Sequence, residues 1–153
     1  MSTDNIDMTA MVGAMGDAVV VCDAQGRVTV WNPAAERMFG FTQAEALGQR
    51  MDMIVPERLR KRHWDGYDKS METGKTRYAH DVLRVPAVDK AGRTLSIAFT
   101  VFMMYDTEGK VTACGSVIRD ETDRFNEDRA LRKRLVELEA QLAGQQLPGT
   151  PRP

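Results

Sequence analysis

Residues 28–57 read VTVWNPAAERMFGFTQAEALGQRMDMIVPE, and the punctuation within that stretch decides the architecture. Asn32 stands where an N-cap side chain accepts from the backbone amides that follow it. Pro33 takes the first helical position, and Gly40 falls just past the last helical residue. The device then repeats, with Thr42 and Glu45 at capping-box spacing and Gly48 as the stop. Two very short helices are therefore expected in succession. Directly before them VTVW is β-rich, and it pairs backwards with DAVVVCD, residues 17–23, across the turn AQG that contains Gly26. A β-hairpin thus leads into the helices.

Working forward, PERLRKRHWDGY, residues 56–67, opens a longer helix expected over 56–72 and stopped by Thr73-Gly74. Pro56 suits its first turn. Its charged residues suggest a surface helix, yet steps of four give Leu59, His63 and Tyr67, one strip that such a helix turns inward. Arg58, Arg60, Lys61 and Arg62 form a basic cluster that reads as a solvated face balanced by Glu57 and Asp65. Three strands follow. DVLRVPAV is interrupted by Pro86, which marks an edge strand. RTLSIAFTVFMMY alternates, with Leu95, Ile97, Phe99, Val101 and Met103 on one face. The turn DTEG joins it to KVTACGSVIRD. Two strands, helices and three strands make an α+β layer: one antiparallel sheet with helices to one side.

The totals agree. At 153 residues the chain is long enough for one core, and 42% hydrophobic with 28% charged residues describes a globular protein. Its 21 basic and 22 acidic residues nearly cancel, so no nucleic-acid or membrane surface is expected as partner. There is no signal-peptide pattern and no membrane-span-length apolar run, which points to the cytoplasm. Cys22 and Cys114 lie inside apolar runs without ligand spacing and read as small buried hydrophobes. No nucleophile–base pair, metal-ligand cluster or phosphate loop is evident, so no enzyme is expected.

From Thr122 the character changes. DRFNEDRALRKRLVELEAQL lacks glycine and proline, and Leu131, Leu135, Leu138 and Leu142 follow intervals of four, three and four. That is a coiled-coil seam, reaching Arg124 and Asp128 when extended backwards. It serves either a homodimer or packing on the sheet.

The stretch from Val28 to Glu57 resembles the PAS-domain signature, and SVIRDETDR, residues 116–124, resembles the junction that precedes a PAS signalling helix. The match covers about residues 14–124. The resemblance implies a five-stranded antiparallel sheet in the order 2-1-5-4-3, with a ligand cavity between the sheet and the long helix. It also implies a sensory or signal-transduction module, and a downstream effector protein as partner. The expected organisation is a helical N-terminal cap over 1–15, the PAS domain over 16–122, a signalling helix over 123–143 and a disordered tail over 144–153.

The ligand must come from the site. Photoactive flavin relatives carry a cysteine on the helix before the long one. GQRMDMIVPE has none here, so that chemistry is excluded while FAD bound without it stays open beside Trp31. Heme b is the sharper expectation. It needs an axial side chain, commonly histidine, in an apolar slot. The long-helix region resembles that of heme-PAS oxygen sensors, in which a histidine stands seven residues after the opening proline, as His63 does here. The resemblance thus makes His63 the iron ligand of a gas or redox sensor. Leu59, Tyr67, Leu83, Phe99 and Val101 line the pocket, and Gly66 is either a glycine that the helix simply tolerates or a place for close approach of a flat cofactor. Distal arginine and methionine positions of the family fall on Leu83 and Asp81. Arg84 lies one residue off and serves only if a bulge reverses its face. His80 is a possible second axial ligand, or a loop histidine in solvent. An ordinary helix histidine remains the alternative for His63, and with it a cofactor-free module for dimerisation and protein interaction. A heme enzyme lacks a distal acid–base group.

Overall fold

The computed structural model describes residues 5–145. Asn32 shows why the opening stretch dictates the fold. Buried at 4% exposure, its Oδ1 accepts from the Val19 and Ala35 amides at 2.9 and 3.0 Å. Its Nδ2 donates to the Val12 and Asp17 carbonyls at 3.0 and 3.1 Å. One side chain caps a helix and ties it to the first strand and to the N-terminal segment, with every polar group of its amide used.

The elements are α1 (Met8–Ala14), β1 (Ala18–Asp23), β2 (Val28–Trp31), α2 (Pro33–Phe39), α3 (Gln43–Ala46), α4 (Arg60–Thr73), β3 (Leu83–Val88), β4 (Thr94–Tyr105), β5 (Val111–Asp120) and α5 (Thr122–Gln145). The expected caps form: Pro33 starts α2, Gly40 ends it with φ +80°, and the Thr42–Glu45 capping box opens α3. The long helix begins later than expected. Pro56 sits before a 3-10 turn, Glu57–Leu59, and α-helical bonding starts at Arg60.

The five strands form one antiparallel sheet in the order β2-β1-β5-β4-β3, as the resemblance implied. Pro86 lies on the edge strand β3, opposite Ser96, where a missing amide costs least. Leu95, Ile97, Phe99, Val101 and Met103 all join the core on the face beneath the helices, with Ala18, Val20, Cys22, Cys114 and Ile118. Trp31 belongs to that core, donating its indole N–H to the Phe41 carbonyl at 2.9 Å and lying against Phe39. Burial pushes the Cys22 and Cys114 thiols up to about 12 and about 11, which suits inert core residues.

The chain divides into two compact units between Asp120 and Glu121. In the second unit α5 runs 24 residues with no buried residue, and its seam leucines are 41% to 68% exposed. The expected tail over 144–153 lies outside the described residues beyond Gln145, as do residues 1–4 of the expected cap; α1 accounts for Met8–Ala14.

Candidate functional site at the inner face of helix α4

Why α4 lies where it does follows from two aromatic residues that reach the β1–β2 turn. Trp64 covers Gly26: a methyl group there would come within 2.4 Å of the indole. Gly26 also has φ +79°, so glycine is required both by backbone and by space. The indole N–H donates to Asp52 Oδ1 at 2.5 Å, and the Arg50 guanidinium stacks 4.0 Å from the ring centroid. One turn on, Tyr67 is 9% exposed and its hydroxyl donates to the Asp23 carbonyl. Burial pushes the pKa of its hydroxyl above the ordinary tyrosine range, helped by the neighbouring Cys22, Cys114 and Asp23. Leu59 and Met71 are half-buried against the same core.

The buried strip of α4 therefore centres on Tyr67 and is flanked by His63 on one side and Trp64 on the other. His63 is half-buried, with its ring edge-on to Trp64 at 4.8 Å and stacked toward Tyr67 at 6.3 Å. Its Nδ1 is buried and has no hydrogen-bond partner, unlike the polar atoms of Trp64 and Tyr67 beside it. Burial lowers its basicity; the Asp52 carboxylate opposes that effect and Arg50 adds to it. A neutral imidazole with an unused buried nitrogen is the donor that a metal-bearing ligand needs. Among the described residues no other histidine, cysteine or acid joins it in a metal-binding group of three or more.

The residues proposed from sequence separate into two groups. Leu59, Tyr67, Phe99 and Val101 meet in one core, and Leu83 sits opposite Phe99 on β3. Arg84 does not join them. It lies opposite Ala98, the β3–β4 register is continuous, and without a bulge its side chain takes the opposite face from Leu83. His80 is exposed and lines a cleft of about 550 Å³ with Val101, Met103 and Tyr105; His63 is not part of that wall. Gly66 is exposed with open space where a side chain would point, so no close approach requires it. Arg60 donates to the Val55 carbonyl at 3.2 Å, while Arg58, Lys61 and Arg62 are exposed.

Sequence reasoning missed the Arg50–Trp64–Asp52 group. Arg50 and Asp52 also border a second cleft of about 450 Å³, together with Phe41 and Met53. The available signal was the spacing of Trp64, Tyr67 and Met71, three and four apart, which marks a second inward row beside His63. Its partners, twelve or more residues away, carry no periodic signature.

A family model described as PAS fold matches residues 12–125. The chain is 26% identical over 147 residues to the sensor protein FixL of Bradyrhizobium diazoefficiens, covering 93% of this chain and 27% of that protein. It is 26% identical over 135 residues to the oxygen sensor protein DosP of Escherichia coli, covering 88% and 16%. The chain thus spans about a quarter or less of the length of these curated relatives. A PAS domain from Colwellia psychrerythraea superposes with a TM-score of 0.66 at 20% identity, over 75% of this chain and 94% of that one. At that identity the likeness speaks for the fold.

Proposed function

The chain belongs to the PAS-fold family, and from that premise we propose that it is a heme-binding sensory module that responds to a gas or to redox state and signals through α5. It is a sensory domain akin to those of sensor proteins and oxygen sensors. The single observation that carries the heme assignment is the buried, unpartnered Nδ1 of His63 beside an apolar inner face. His63 would hold the group, with Leu59, Tyr67, Leu83, Phe99 and Val101 enclosing it. Heme would supply an iron centre that binds gas or changes oxidation state. Arg84 and His80 have no part in this assignment.

The residues themselves suggest the output. Tyr67 fixes α4 to β1 at Asp23, and β1 pairs with β5 along its whole length from Ala18 to Asp23. β5 ends at Asp120, two residues before α5 begins. A displacement of α4 therefore has a hydrogen-bonded route to the Asp120-Glu121-Thr122 junction. No enzymatic step is assigned to the chain. The effector is a separate or attached signalling protein, and the working compartment is the cytoplasm; among the described residues no helix is long and apolar enough to cross a membrane.

A second reading, a cofactor-free module for dimerisation and protein contacts, is favoured by the closure of Trp64 onto Gly26 and Asp52, which anchors α4 without any ligand. Reconstitution with hemin separates the two. A Soret band that titrates to one equivalent and disappears in His63→Ala is the expected result. No band in folded wild-type protein contradicts the heme assignment and leaves the second reading.

A further inference from the structure

Beside the Trp64 clamp two arginines are set against each other. Arg27, just before β2, and Arg50, after α3, stand opposite one another in an isolated antiparallel bridge. Directly opposite residues of such a bridge project to the same side, their stems about 5 Å apart, and like charges placed so repel. Both border the cleft of about 450 Å³ that Phe41, Glu45, Asp52 and Met53 help to enclose.

The acids of this cleft are already committed. Glu45 accepts from the Lys90 ammonium at 2.5 Å through one oxygen and from the Thr42 amide at 3.0 Å through the other. Those contacts, Lys90 first, hold its carboxyl down at about 2. Asp52 accepts from the Trp64 indole through Oδ1. The donors, in contrast, are largely unused. Arg27 gives Nη1 to the Gly48 carbonyl at 3.1 Å. Arg50 rests on the Trp64 ring, 4.0 Å from its centroid, and among the described residues its N–H groups meet no acceptor. A guanidinium is a rigid fork of five donors that matches a carboxylate through two parallel bonds. Stacking on the indole holds that fork ready before a ligand arrives.

The remaining walls narrow the choice of anion. Phe41 and Met53 are half-buried apolar groups beside the arginines. An inorganic oxyanion leaves them bare, whereas the body of an organic acid covers them. We propose that this cleft is a second ligand site, one that takes a small aromatic or short-chain carboxylate. Its head lies between Arg27 and Arg50, and its apolar body lies against Phe41 and Met53. Occupation reaches α4 through Trp64, on which Arg50 rests. His63 is not part of this wall, so the site stands independently of the heme assignment.

Calorimetric titration of the full chain with benzoate and with butanoate tests the site, with tryptophan emission followed in parallel. One equivalent should bind with a dissociation constant of about 0.1–1 mM. The emission should change through Trp64, because Trp31 lies in the core away from solvent. Arg50→Gln should weaken binding about tenfold or more, and Arg27→Gln about fivefold. Arg27→Gln leaves the Trp64 contacts in place, so its effect is not that of a displaced helix. Arg50→Lys keeps the charge without the fork and should fall between wild type and Arg50→Gln. Glu45→Gln removes a negative charge yet retains a capping-box side chain, and should tighten binding about twofold. Arg62→Gln makes the same charge change as Arg50→Gln on the exposed face of α4 and should leave binding unaltered. Benzamide, which has the shape without the charge, should not bind, and inorganic phosphate should bind about tenfold more weakly than benzoate.

No saturable binding of either carboxylate at about 10 mM overturns the site. Binding that survives Arg27→Gln combined with Arg50→Gln overturns these two residues as its holders. Benzamide equal to benzoate overturns recognition by charge, and phosphate equal to benzoate overturns an organic carboxylate as the ligand class. None of these outcomes depends on hemin, so failure here and failure of the heme assignment are distinguishable.

Discussion

The two flanks of α4 are finished differently. On the hairpin side, Trp64 donates to Asp52 and lies under Arg50, and Tyr67 donates to Asp23, so the buried polar groups are satisfied. On the other side, one residue away, the imidazole of His63 keeps a buried nitrogen with no partner. Such an orphan costs about 1–3 kcal/mol, more than a packing position needs to carry. The difference teaches how one helix divides its work: the Trp64–Tyr67 flank anchors, and the anchoring sustains an unsatisfied group where a ligand would meet it.

The comparison breaks first at the anchor. Gly26→Ala forces a methyl group into the Trp64 ring and into a left-handed backbone, and should destabilise the domain by about 2–4 kcal/mol in urea unfolding. Loss below about 0.5 kcal/mol would mean that the indole does not hold the turn. Tyr67→Phe keeps the ring but removes one of the two donors to the Asp23 carbonyl, the Gly26 amide remaining, and should cost about 0.5–1.5 kcal/mol. A thermal scan should place its midpoint several degrees lower.

On the unfinished flank the expected sign reverses. His63→Phe removes the unpaired nitrogen and should leave stability at pH 7.5 equal to wild type or higher, the pattern of a residue kept for function. The pH dependence follows from its lowered basicity. In the unfolded chain this histidine protonates at its ordinary value of 6.5, while the folded protein resists protonation. The unfolded state therefore takes up a proton first as pH falls, so stability is complete above pH 6.5 and declines below it. Urea midpoints between pH 7.5 and 5.5 should show this slope in wild type and its loss in His63→Phe. The smallest effect is expected far from either flank. Arg119 holds Asp17 through two contacts of 3.1 Å, but the arginine is exposed and Asp17 only half-buried, and Asp17→Asn should cost under about 1 kcal/mol.

Much of the fold was legible because its signals are local. Asn32, Pro33 and Gly40 announce α2, Thr42 and Glu45 announce α3, and the alternation from Leu95 to Met103 declares which face of β4 is inward. Strand order was not local, and it came from the resemblance of residues 28–57 to a known signature. At the site, the four-residue step found Leu59, His63 and Tyr67, and strand parity correctly warned that Arg84 takes the outer face without a bulge. The clamp escaped notice because Gly26, Arg50 and Asp52 meet Trp64 only in three dimensions. Gly66 fits the plainer of its two readings, a glycine that the helix tolerates, since it faces open space.

The central claim is that the unpaired nitrogen of His63 is where the domain meets its ligand, and ¹⁵N NMR of the imidazoles tests it most directly. The chain has two histidines, and the second, His80, is exposed, so it serves as an internal reference. On addition of one equivalent of hemin the His63 resonances should shift and broaden beyond detection while those of His80 persist. Persistence of His63, with or without loss of His80, would contradict the account.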